Sequence, residues 1–127
     1  MKLRMTKNSI RIRIRKSELA LLKENQKISE SVQFPGAPAF QFSLAIVKQE
    51  DKLKARLENQ HLGLFLSPSA AEYWFAPSQV SLESFIDLPE GEQLHLLLEK
   101  DFPCLDRPEQ DKSDTFWELA PENPESC

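Results

Sequence analysis

Apolar and polar residues alternate from the first positions of the chain. Lys2-Leu3-Arg4-Met5 alternates, and Ile10-Arg11-Ile12-Arg13-Ile14-Arg15 does so strictly. A period of two is the mark of a half-buried strand. Lys7-Asn8 fits a tight turn, because Asn tolerates positive φ. The two runs predict a hairpin. Leu3, Met5, Ile10, Ile12 and Ile14 then face the core, and Lys2, Arg4, Arg11, Arg13 and Arg15 face outward together.

Ser17 fits a helix N-cap, with Glu18, Leu19, Leu21, Leu22 and Glu24 in the helix. Residues 28–34 read as a loose strand, ended by Pro35-Gly36-Ala37-Pro38. Phe40, Phe42, Leu44 and Ile46 mark a clean strand. Residues 53–57 and 62–66 mark two more, with Asn59-Gln60 as their turn. Ser67-Pro68 opens a second helix through Phe75, which Pro77 stops. Val80-Ser81-Leu82 predicts a short strand, Leu88–Gly91 a turn, and residues 93–99 a last strand with Leu94, Leu96 and Leu98 on one face.

Two helices among many strands with short connections predict an α+β fold: a mainly antiparallel curved sheet of about six to eight strands, with two short helices and an acidic C-terminal tail. The expected organisation is one α+β domain over residues 1–100, and a tail over 101–127 that packs back on it. No internal repeat shows in residues 1–100.

Size and composition narrow the class. The chain has 127 residues, 40% of them hydrophobic, including eight Phe and two Trp. That suffices for one packed core. No apolar run reaches the roughly 18 residues of a membrane helix, and the basic N-terminus lacks the apolar stretch of a signal peptide. The two cysteines, Cys104 and Cys127, read as free thiols in a reducing cytosol.

Charge is uneven. The net charge is −4, yet the first 16 residues hold seven bases and no acid. From Asp101 onward there are eight acids and two bases. The sequence is basic at one end and acidic at the other.

Residues 7–13 (KNSIRIR), the helix start Lys16-Ser17-Glu18 and residues 99–107 (EKDFPCLDR) resemble a small bacterial family of unknown function. Its members read K-G-N-S-I-R-x-R-L near the start and E-K-D-F-x-C-L-x-R near the end. The chain departs from that pattern at Lys7-Asn8, which lack the glycine between them, and at Phe116-Trp117, where similar proteins read F-P-N-P. The resemblance implies a bacterial cytosolic setting. It implies no activity and no catalytic residue.

The candidate sites follow. Arg4, Arg11, Arg13 and Arg15 form a face that either binds an anion, such as nucleic acid or phosphate, or pairs with the chain's own acids. The second reading is favoured, since no aromatic platform accompanies the arginines in the sequence. Glu99, Lys100, Asp101, Phe102, Cys104, Asp106 and Arg107 read as a latch. Phe102, Cys104 and Leu105 plug the core there, and the acidic tail turns toward the basic hairpin. The competing reading is an enzyme or metal site centred on Cys104, His95 and Asp101, with His61 in reserve. Neither a cysteine-enzyme signature nor a zinc-ligand spacing supports it. The three glycines lie too far apart for a phosphate loop. The expectation is therefore a small cytoplasmic binding domain with no cofactor and no resident metal. Its partner is an anionic ligand or a protein, and it is a monomer or a dimer paired through an edge strand.

Overall fold

The computed structural model describes residues 1–102 and 114–119, and of Trp117 the backbone alone. In these residues the chain forms β1 (Lys2–Thr6), β2 (Ser9–Ile14), α1 (Lys16–Asn25), β3 (Lys27–Val32), β4 (Phe40–Ile46), β5 (Leu53–Glu58), β6 (His61–Leu66), α2 (Pro68–Phe75), β7 (Ser81–Asp87) and β8 (Gln93–Lys100). Short 3₁₀ turns occupy Pro89–Gly91 and Trp117–Leu119.

The fold is α+β, but the strands divide into two sheets of four rather than one sheet of six to eight. The orders are β1-β2-β8-β7 and β3-β4-β6-β5. Each sheet consists of two antiparallel hairpins joined through a central parallel pair, β2 with β8 and β4 with β6. Every strand with two neighbours has its inward face covered, and Ile12, Ile14, Leu44, Leu64, Leu66, Leu96 and Leu98 are fully buried between the layers. Burial of one such side chain stabilises the fold by about 1.5–3 kcal/mol.

The two halves of the chain repeat each other, contrary to the reading of the sequence. Residues 1–46 run β-β-α-β-β, and residues 53–100 run the same way. The registers match position by position. Ser9 faces His95 and Ile14 faces Lys100; in the other sheet His61 faces Gln41 and Leu66 faces Ile46. The flanking bonds match too. Asp101 N–H donates to Ile14 O (2.7 Å) as Val47 N–H donates to Leu66 O (2.8 Å). Leu22 of α1 and Trp74 of α2 take equivalent places, and both are fully buried. Few identities betray the repeat; Lys2-Leu3-Arg4 against Lys54-Ala55-Arg56 is one.

Local chemistry explains the helices. Ser67 caps α2, its hydroxyl accepting the Ala70 N–H (3.1 Å) with Pro68 at the first helical position. In α1 the cap position belongs to Arg15, not Ser17. Ser17 lies inside the first turn, where its N–H and hydroxyl donate to the two carboxylate oxygens of Asp114 (2.9 and 2.6 Å). A carboxylate at a helix N-terminus satisfies orphan donors and opposes the positive end of the dipole. The helix start is thus capped from the C-terminal segment.

Two further expectations need correction. Met5 lies on the inward side of β1, yet it is exposed, as is Leu57 at the matching place in β5. Both stand on outer strands near a hairpin end, where the opposite sheet does not reach. The turn at Lys7-Asn8 uses no positive φ, whereas Asn59 and Gln60 both adopt it (48° and 62°). The second turn therefore has the twist that two-residue hairpins favour.

Lys100 is 1% exposed at the end of β8. Its ammonium donates to the Ala76 carbonyl (2.9 Å) and sits over the Phe116 ring. Burial lowers its pKa, repulsion from Lys23 lowers it further, and Glu118 partly opposes them. With a native pKa below the unfolded one, the unfolded chain holds more protons between the two values. Stability therefore rises with pH across that window. Lys100→Met is expected to leave stability unchanged or slightly higher at neutral pH and to abolish the alkaline rise. Urea midpoints measured against pH check both.

Candidate anion-binding face

The outward side of the first sheet gathers the basic residues in rows fixed by register. Lys2, Arg13, Glu99 and Ser81 form one row. Arg4, Arg11, Leu97 and Glu83 form the next, and Thr6, Ser9, His95 and Phe85 the third. Side chains in one row stand on neighbouring strands within contact range.

Chemistry divides this face along the strands. At one end, Glu99 accepts from Arg13 Nε (3.1 Å) and lies 3.7 Å from Arg11 Nη1. Asp101, 2% exposed, pairs with Lys2 (3.2 Å) and more distantly with Arg13 (3.9 Å). The Arg13 guanidinium also lies over the Phe102 ring at 5.0 Å. Lys2 and Arg13 are therefore neutralised by the start of the latch. Lys100, adjacent in sequence, points instead into the interior.

The other end is under-compensated. Glu99 serves two arginines, and its contact with Arg11 is the longer. Burial disfavours the Arg11 cation most, Arg13 repels it, Glu99 restores part of the loss, and Arg4 repels it again. Arg4 stands directly across from Arg11, with no ion pair of its own among the described residues. Beside the two arginines a recess of about 160 Å³ is lined by Arg4, Thr6, Ser9, Arg11 and His95, with Leu97 and Ile10. At about 30 Å³ per water, that is room for about five waters, or for a small phosphate-type anion.

No aromatic platform is expected from the sequence, yet one stands here. Phe85 stacks on His95 with ring centroids 4.5 Å apart and planes 7° apart. His95 also bonds to Glu83 (2.7 Å). The readable signal was the outward set of β7, where Phe85 is the one aromatic among Ser81, Glu83 and Asp87. A strand that ends at Leu82 hides this signal; β7 runs on to Asp87.

The remaining candidates separate. Arg15 lies beyond β2, exposed, its N–H donating to Glu18 (2.8 Å). His95 and Asp101 lie at opposite ends of β8, on the order of 20 Å apart at the rise of an extended chain. The proposed joint site of Cys104, His95 and Asp101 is therefore not assembled around those two. His61 lies on the second sheet, bonded to Ser43 (2.8 Å). No cluster of three metal-ligating residues occurs among the described residues. Cys104, Asp106 and Arg107 lie outside them, as does the Trp117 side chain.

A family described as a family of unknown function, DUF7009, matches residues 1–120. The chain belongs to that family. The match spans both sheets and extends past Phe116, whose ring is buried in the core. Among curated proteins and among solved structures nothing matches. The function of the family being open, the geometry above is what bears on it. Among the described residues no helix is long and apolar enough to cross a membrane.

Proposed function

We propose that the protein is a small binding domain that holds a phosphate-type anion between Arg4 and Arg11. The latch residues Glu99 and Asp101 neutralise the other end of the same face. The supporting observation is the unequal compensation of the arginines: two carboxylates secure Lys2 and Arg13, while Arg4 and Arg11 stand side by side over a recess with two hydroxyls and an imidazole. Charge-assisted bonds from two guanidinium groups suit a phosphate oxygen set. His95, stacked on Phe85, lines the recess. The few cysteines and the resemblance of the terminal motifs support a bacterial cytoplasmic setting. In this reading Asp101, Asp114 and Phe116 serve as structural parts, not as a detachable inhibitor.

Calorimetric titration with inorganic pyrophosphate tests the proposal. Binding is expected to weaken as salt rises, and Arg11→Ala is expected to weaken it about tenfold or more. Binding unaffected by Arg11→Ala, or absent altogether, contradicts the reading.

A further inference from the structure

The repeat gives the second sheet an outward face built on the same registers. There Lys54 and Arg56 stand where Lys2 and Arg4 stand, and Gly63 takes the place of Arg11. With no side chain at that position, the recess grows from about 160 to about 410 Å³. That size lies in the range of small-molecule sites.

Gly63 shapes a wall as well as a space. A Cβ there would come within 2.9 Å of the Phe65 ring. The ring therefore lies close over bare backbone and flanks the recess. Gln41 and Asn59 add two side-chain amides to the lining, and His61 adds an imidazole. The imidazole is held by Ser43, a hydroxyl only 2% exposed. Arg56 pairs with Glu58 at 2.9 Å, and both side chains are largely solvated. Such a pair is weak, so an incoming anion displaces it at small cost.

The geometry points to a mononucleotide as the occupant, its base on Phe65 and its phosphate on Arg56. An aromatic wall accepts any base by stacking. An amide such as that of Gln41 offers a donor and an acceptor side by side, which suits the edge of a base. Arg56 supplies the cation, and Lys54 lies two residues back on the same outward side. The site stands on a different sheet from the pyrophosphate site and shares no residue with it.

The test is calorimetry on the full chain with AMP, with pyrophosphate and a six-residue oligoadenylate alongside. AMP is expected to bind. Phe65→Leu is expected to weaken AMP about tenfold or more and to leave pyrophosphate unchanged. Arg56→Ala, at an exposed position outside the core, is expected to do the same and guards against a folding defect in the first variant. Arg11→Ala is expected to spare AMP. The inference is overturned if AMP fails to bind at millimolar concentration, if neither Phe65→Leu nor Arg56→Ala weakens it, or if Arg11→Ala removes it. Oligoadenylate binding more than about tenfold tighter than AMP would mean a strand ligand and likewise overturn the mononucleotide assignment. Pyrophosphate binding without AMP binding leaves the first-sheet reading intact and this one refuted.

Discussion

Phe116→Ala is expected to lower the unfolding free energy by about 3–5 kcal/mol, the range for removing a buried aromatic ring. Phe116 comes from the C-terminal segment, yet it is 6% exposed and belongs to the same core cluster as Ile14 and Leu22. Its N–H donates to the Asp101 carbonyl (2.8 Å), and the ammonium groups of Lys16 and Lys100 lie over its ring at 5.4 and 5.6 Å. Truncation would open a cavity under Lys100 and loosen the Asp114 cap on α1. Against a typical total of 5–15 kcal/mol, that loss is large. Chemical denaturation at neutral pH measures it. A loss below about 1 kcal/mol would mean that the segment decorates the domain rather than completing it.

Trp74→Ala is expected to cost about as much, 3–5 kcal/mol or slightly more. Trp74 is fully buried, and its indole N–H donates to the Val80 carbonyl (3.2 Å). The variant leaves a cavity and also removes one of that carbonyl's two donors, the Lys100 N–H (2.9 Å) remaining. Leu22 supplies the internal comparison, because it fills the equivalent place in the other half of the repeat. Leu22→Ala is expected to cost less, since a smaller volume is removed and no hydrogen bond is broken. Equal losses at the two positions would contradict the argument that the indole fastens α2 to the start of β7.

Much of the fold was legible because alternation reports strands directly. The β2 run Ile10-Arg11-Ile12-Arg13-Ile14 has its isoleucines buried and its arginines outward, as period two requires. Alternation does not say which strand lies beside which. The parallel partner of β2 is β8, at the far end of the chain, and nothing local encodes that choice. The two-sheet division and the repeat were hidden for the same reason. The repeated features are registers and buried volumes, and Leu22 and Trp74 share no chemistry a sequence comparison would notice. The helix cap was misplaced because the partner of Ser17 is Asp114, remote in sequence.

The candidate face was legible in part. Arg4, Arg11 and Arg13 were readable as one outward set, and Glu99 and Asp101 as its acids. The sequence could not show that the acids favour one end, Glu99 lying 3.1 Å from Arg13 but 3.7 Å from Arg11. Carboxylates at the end of β8 lie level with Lys2 and Arg13, and strand geometry keeps them from Arg4. Nor could it show that Gly63 answers Arg11, because that correspondence exists only through the shared register.

On the proposed reading, Glu99 and Asp101 hold Lys2 and Arg13 and leave Arg4 and Arg11 for a ligand. The most direct measurement follows the arginine side-chain Nε–H signals by NMR while inorganic pyrophosphate is added. The Arg4 and Arg11 signals are expected to move and saturate together, while Arg13, held by Glu99 and lying over Phe102, stays in place. Equal movement of all three, or movement of Arg13 alone, would contradict it.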